Sequence, residues 1–164
     1  MAAELNQNTK QFLKEMKDAF GDEVRADAMS RALYSTDASI YMQMPLGVFT
    51  PKKRGEVRRA LRLAHQFGVP VLPRAGGTSL AGQTTGQGAF VLDISKHMDE
   101  LEQLNVEEQW AVVGPGVVRD RLNSKIVQHG LWFAPETSTS NRANIAGMMA
   151  NNSSGMMSIR YGIT

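Results

Sequence analysis

The sequence predicts an α+β fold, and three observations carry that prediction. First, the apolar run Leu46 to Thr50, the helical stripe Val57, Ala60, Leu61, Ala64 and Phe67, and the run Val69 to Leu72 give the order strand, helix, strand. Second, the chain beyond Ser95 alternates further short apolar runs with one helix. Third, a turn from Pro73 to Gly82 follows the second strand directly and contains Gly76, Gly77 and Gly82 with the hydroxyls of Thr78 and Ser79.

The elements follow in order. Phe12, Met16, Ala19 and Phe20 recur at helical spacing, and Gly21 stops that helix. Residues 1–33 are therefore read as an N-terminal helical segment. Tyr34 to Ala38 form a polar turn before Ile40 and Tyr41. Pro45 and Pro51 bracket the first strand, and Gly68 ends the helix after it. The crossover is about 15 residues, long enough for parallel pairing. Ala89 to Ile94 is a third strand, and the change near Ser95 divides a first subdomain, 34–95, from a second, 96–164. In the second, Leu101 to Leu104 and Trp110 to Val113 read as strands, the latter stopped by Gly114, Pro115 and Gly116. Val118, Leu122 and Ile126 share one helix face, with Gly130 at its exit. Leu131 to Ala134 reads as another strand. Asn144 to Ala150 reads as a short helix in which Ala146 and Gly147 permit close packing, and Asn151 to Gly155 as a polar turn. The close at Tyr161 to Thr164 reads as an interruption rather than a domain boundary.

Composition narrows the function classes. A hydrophobic content of 42% with 21% charged residues is that of a folded globular chain. No apolar run approaches the roughly 20 residues that span a bilayer, and Met1 to Lys10 hold no hydrophobic signal core. The chain has no cysteine, so it offers no disulfide, thiol nucleophile or thiolate cluster ligand. His65, His97 and His129 lie far apart without a metal spacing. A cytoplasmic location is the default. The net charge of +2 is unevenly spread: Lys52, Lys53, Arg54, Arg58, Arg59, Arg62 and Arg74 crowd the centre, and Asp99, Glu100, Glu102, Glu107 and Glu108 follow. A basic helix can mark nucleic-acid binding. Here Arg58, Arg59 and Arg62 are read instead as the solvent side of an amphipathic helix, with no recognition module beside them.

The glycine turn is the first candidate for chemistry. Glycine permits positive φ and close approach to the backbone, and successive main-chain N–H groups in such a turn form an anion site. A phosphate-bearing cofactor is the hypothesis. Neither GxGxxG nor GxxxxGK[ST] occurs, and no helix begins directly after Gly77, so a loop rather than a Rossmann helix is expected to hold the phosphates. Pro135 to Ser140 and Ala146 to Gly155 share the turn's small, hydrogen-bonding composition. On composition alone, one converging site and three unrelated surface loops both stay open.

Taken together and in order, the Pro51 strand start, Pro73 to Gly82, Val113 to Gly116, Pro135 to Ser138, Gly147 to Gly155 and Arg160 to Gly162 carry a family resemblance. From about Tyr34 to Thr164 the chain resembles the amino-terminal part of the flavin-dependent D-2-hydroxyacid dehydrogenases, the group of D-lactate, glycolate and D-2-hydroxyglutarate dehydrogenases. Their FAD-binding domain is of type 2, shared with vanillyl-alcohol oxidase-type (PCMH) proteins. The stretch Asn151 to Thr164 is most similar to large bacterial members in which an iron–sulfur domain follows. The resemblance implies an incomplete FAD-binding domain: a β-α-β first subdomain and the start of a second α+β one. It assigns the FAD pyrophosphate to Gly76, Gly77, Thr78 and Ser79, with Gly82 completing the turn. Arg74 is placed near the cofactor, with structural pairing as its alternative. Pro135, Thr137 and Ser138 approach the flavin or its ribityl chain. Gly147, Asn151, Ser154 and Gly155 line a second cofactor segment, and Gly162 closes the adenine side. Ala75 and Ala146 stand where glycines are common in the family, and both are expected to be accommodated at negative φ.

The implied reaction is oxidation of a D-2-hydroxy acid, D-2-hydroxyglutarate preferred over D-lactate. Hydride passes to the flavin, a base takes the hydroxyl proton, and basic residues hold the carboxylate. Electrons pass to a separate acceptor or an iron–sulfur domain, and contact with such partners leaves membrane association open. No catalytic residue is assigned within this chain, because the family's substrate-binding arginine and its histidines lie mainly in a later domain. The isolated chain is expected to be inactive. The rival reading is a non-catalytic scaffold or interaction fragment that does not retain FAD. Asp37 is read as a loop anchor, His65 and His129 as helix-end residues, and Trp110 and Trp132 as core or interface residues.

Overall fold

In the computed structural model, which describes residues 5–164, Asn6 starts helix α1 (Gln7–Phe20) by accepting the Thr9 N–H at 2.8 Å. Such a cap satisfies a backbone donor that the first helical turn leaves over. Gly21, at φ 58°, ends the helix. Phe12 and Met16 lie wholly inside. Two short elements that apolar periodicity does not reveal come next: strand β1 (Val24–Arg25) and helix α2 (Ala28–Leu33), the latter capped by Asp27 accepting from Ser30 N–H at 2.9 Å.

Chain contacts divide the described residues into two compact units. One runs through Arg74 and includes Ser79–Asp93; the other comprises Ala75–Thr78 and Ile94–Thr164. In the first, strand β2 (Gly47–Phe49), helix α3 (Arg54–Phe67), strand β3 (Val71–Arg74) and strand β4 (Phe90–Asp93) complete a four-stranded sheet of order β1-β2-β4-β3. β2 and β3 both run parallel to β4, and β1 pairs antiparallel with β2. The β-α-β unit is thus present, but β4 lies between its two strands. The side chains explain the order. Phe90, Val91 and Leu92 are all buried in β4, as a central parallel strand requires. Pro73 in β3 has no N–H for a second neighbour, which suits a strand at the sheet edge. Phe90 meets the Phe12 ring edge-on at 4.9 Å between centroids, and Phe20 stacks on Phe49 at 4.4 Å.

The strand expected at Val69 begins two residues later. Val69 N–H instead closes the end of α3 on the Ala64 carbonyl at 2.8 Å, beside Gly68 in the left-handed region. Pro70, next in line, has no N–H to give a ladder.

The second unit contains the antiparallel hairpin β5 (Leu101–Asn105) and β6 (Trp110–Val113), then helices α4 (Arg119–Ile126), α5 (Ile145–Ala150) and α6 (Ser158–Tyr161). Val117, Leu122, Ile126, Ala143, Ile145 and Met148 form its core. One sequence expectation fails here: Leu131 to Ala134 is not a strand. Side chains take the ladder's place. Asn123 accepts from Phe133 N–H at 2.8 Å and donates to the Phe133 carbonyl at 3.2 Å. Arg119 Nε donates to the Pro135 carbonyl at 2.7 Å. Leu131 and Phe133 still pack on the core, so the apolar alternation is genuine but the hydrogen-bonding partner is not a strand. Trp110 and Trp132, 43% and 57% exposed, are not core residues. No helix among the described residues is long and apolar enough to cross a membrane.

Candidate functional site

The loop after β3 has no regular structure from Ala75 to Ala89, which agrees with the absence of a Rossmann helix. None of the backbone N–H groups from Gly76 to Leu80 donates a hydrogen bond to another described residue. Gly76 and Leu80 are exposed and the residues between them half-buried, so these amides are open to solvent or to a ligand. Gly77 holds φ at 62°, in the left-handed region. Gly76 is required by space: a Cβ there would fall 2.6 Å from the Arg142 carbonyl oxygen and 3.0 Å from Asn144 Oδ1. Ala75 and Ala146 are absent from the positive-φ positions, so both alanines are accommodated as expected.

Around this turn the second unit supplies a feature with no sequence signal. Asn144 is buried at the N-terminus of α5; its Nδ2 donates to the Gly116 carbonyl, and its Oδ1, facing Gly76, has no hydrogen-bond partner. The carbonyl contact fixes which end of the amide is which, so the orphan is an acceptor. Asn is an unremarkable helix N-cap by sequence, and only its burial shows it to be part of the loop's seat. Gly147 lies beside Ala75, 3.3 Å from the latter's Cβ to the position its own Cβ would take. The turn is therefore brought together with residues 142–147.

The other expected residues fall in separate groups. Gly155 is pressed on the Glu136 backbone, which joins the Pro135 to Ser138 loop to the 155 turn. Thr137 Oγ1 lies 3.4 Å from Thr139 Oγ1, and Ser138 is exposed. Asn151 donates to Ser153 Oγ at 3.5 Å, Ser154 is exposed, and Gly162 N–H ends α6 on the Ser158 carbonyl at 2.8 Å. In the first unit Ser79 Oγ accepts from Ala81 N–H at 3.2 Å, and Gly82 lies against the Tyr41 ring. Arg74 Nη1 donates to the carbonyls of Tyr34 and Thr84 at 3.3 and 3.2 Å. Asp37 accepts from Ser39 N–H at 2.8 Å and Thr84 Oγ1 at 2.9 Å. Burial pushes its carboxyl up, but these hydrogen bonds outweigh that and hold it below the ordinary value. Tyr34 donates to Asp93 at 2.6 Å; burial first, then that carboxylate, push the phenol up to about 12.

The residues present fit a dinucleotide diphosphate: an anionic group needs donors without side chains in the way, and the glycine turn offers consecutive free amides. Among the described residues no group of His, Cys, Asp or Glu is arranged to hold a metal ion. An open apolar cleft of about 390 Å³ lies elsewhere in the second unit, lined by Leu104, Trp110, Leu122, Ile126, Trp132 and Ile145 among others, and none of the expected cofactor residues lines it.

Comparison with known proteins matches residues 45–164 to a family described as FAD binding domain. A D-2-hydroxyglutarate dehydrogenase of Pseudomonas putida is 39% identical over 161 residues, 96% of this chain and 16% of that enzyme. A mitochondrial D-lactate dehydrogenase (cytochrome) of Kluyveromyces lactis is 37% identical over 139 residues, 83% of this chain and 24% of that enzyme. Among solved structures, alkyldihydroxyacetonephosphate synthase superposes with a TM-score of 0.83 at 21% identity, over 94% of this chain and 31% of that one.

Proposed function

The chain belongs to the FAD-binding-domain family, with an α+β fold of the vanillyl-alcohol oxidase type, and from that premise we propose that it is the FAD-binding portion of a dehydrogenase acting on a D-2-hydroxy acid. D-2-hydroxyglutarate is the preferred substrate and D-lactate the second, following the relatives that bear those names. The observation that carries the cofactor reading is the run of free amides from Gly76 to Leu80. Hydrogen bonds to ionised acceptors contribute about 1.5–3 kcal/mol each, so a few such amides suffice to anchor a diphosphate. Thr78 and Ser79 supply hydroxyl donors beside them, and Pro135, Thr137, Ser138, Gly147, Asn151, Ser154, Gly155 and Gly162 are proposed to line the rest of the cofactor.

When bound, the flavin supplies the two-electron acceptor chemistry. This chain's part is to bind and orient it. The chain spans 16% of the length of the D-2-hydroxyglutarate dehydrogenase it matches, and the base and the carboxylate-binding groups are proposed to lie outside these residues. With no cysteine here, any iron–sulfur cluster of the whole protein is ligated elsewhere, and electrons leave to a separate acceptor. A cytoplasmic setting belongs to the same proposal, as do the subdomain limits 34–95 and 96–164.

Titration of the 164-residue chain with FAD, followed by flavin fluorescence and visible absorbance, tests the reading. Saturable binding is expected, weakened at least tenfold by Gly77→Val, with no turnover of D-2-hydroxyglutarate. A folded, colourless chain without flavin affinity would overturn it and favour the non-catalytic scaffold.

A further inference from the structure

Both ends of the glycine-rich loop are tied together by one residue's side chain. Arg74 closes β3, and its Nη1 reaches forward to the Thr84 carbonyl at 3.2 Å while also donating to the Tyr34 carbonyl at 3.3 Å. Its guanidinium lies 5.2 Å from the centroid of the Tyr34 ring. Thr84 is gripped a second time from the opposite direction: its hydroxyl donates to Asp37 Oδ2 at 2.9 Å, and its N–H reaches the same oxygen at 3.4 Å. Asp37 is itself fixed, since its Oδ1 accepts from Ser39 N–H at 2.8 Å. Tyr34 is held by its 2.6 Å hydrogen bond to Asp93, the residue paired in register with Arg74 across β3 and β4. Between residues 74 and 84 the backbone has no ladder of its own.

We propose that Arg74, Asp37 and Thr84 form a staple that pre-sets the loop for the nucleotide, with Arg74 acting as a positioning residue rather than a phosphate ligand. The proposal rests on the FAD reading above. A loop free to wander must be ordered when ligand binds, and that cost is subtracted from affinity; fixing residue 84 against residue 74 removes part of it beforehand. Arg74 suits this task because Nη1 alone donates to both carbonyls, and the Tyr34 ring against the guanidinium fixes its plane.

Two changes at Thr84 and one at Arg74 test the staple by FAD titration of the 164-residue chain, with circular dichroism checking the fold. Thr84→Val removes the hydroxyl at constant shape and should raise the FAD Kd about five- to tenfold. Thr84→Ser should restore it to within about twofold of the parent. Arg74→Met should also weaken binding but leave the slope of log Kd against log salt unchanged, because no phosphate contact is lost. Parent-like binding by Thr84→Val, or a shallower salt slope in Arg74→Met, would overturn the staple while leaving the FAD reading intact. A parent chain that binds no FAD would overturn both. If Arg74→Met fails to fold, the Thr84 pair decides.

Discussion

Gly77 and Tyr34 show how single residues set local conformation and pH response. At φ 62°, Gly77 occupies a region that costs an L-residue about 1–2 kcal/mol. Gly77→Ala should lower the unfolding free energy by about that amount in urea titration. Gly55 is the contrast: it has no positive φ and nothing within 4 Å of a Cβ, so Gly55→Ala should stabilise by about 0.5 kcal/mol. Tyr34 titrates late because burial and the Asp93 carboxylate both favour its neutral form, raising it from 10.0 to about 12. The folded chain then holds a proton that the unfolded chain releases first. Stability from this group is full below pH 10 and is lost as pH rises through about 12. Tyrosinate absorbance should show one late step that Tyr34→Phe abolishes, and an early titration of that phenol would contradict the buried pairing. Asn144, with its orphaned oxygen beneath Gly76, had no comparable signal in the sequence, because burial and partner count are properties of the packed chain.

Among the elements, the stretch Leu131–Pro135 depends on helix α4 for its shape. Arg119, almost fully buried, holds Phe133 and Pro135 carbonyls, and Asn123 holds both backbone groups of Phe133. Asn123→Leu should therefore cost about 1–3 kcal/mol, since it leaves the Phe133 N–H and carbonyl less satisfied in a half-buried setting. Hydrogen exchange should accelerate at Phe133 before the rest of the second unit, and unchanged protection there would refute the role. The strand expected over Leu131 to Ala134 is absent. Alternation reports which side chains face a core, and Leu131 and Phe133 do, but it cannot report what the backbone bonds to. The order of the first sheet has the same character. The β-α-β pattern alone suggested that β2 and β3 were neighbours, yet β4 separates them.

For the whole molecule, ligand linkage provides the measure. If the chain binds FAD only when folded, saturation at a hundred times Kd should add about 2.7 kcal/mol to its stability, seen as a rise in Tm. No shift under conditions where flavin fluorescence reports binding would mean that the unfolded chain binds as well. The basic residues Arg58, Arg59 and Arg62 are exposed on α3, and Arg59 covers the Phe20 ring at 5.3 Å. That arrangement matches the solvent-side reading of the helix. Reversing charge at Arg58 and Arg62 should leave stability within about 0.5 kcal/mol, as for surface changes in general.

The amino-acid order by itself determined the α+β class, the helix stops at Gly21 and Gly68, the glycine turn and the family. These follow from neighbours in sequence: periodicity, glycine and proline stereochemistry, and motifs in a fixed order. Tertiary structure alone decided that β4 lies between β2 and β3, that Arg119 and Asn123 stand in for a missing strand, that Arg74 grips the far end of its own loop, and that Asn144 lies beneath Gly76. Each of those depends on groups distant along the chain meeting in space, where burial and hydrogen-bond competition choose the partner.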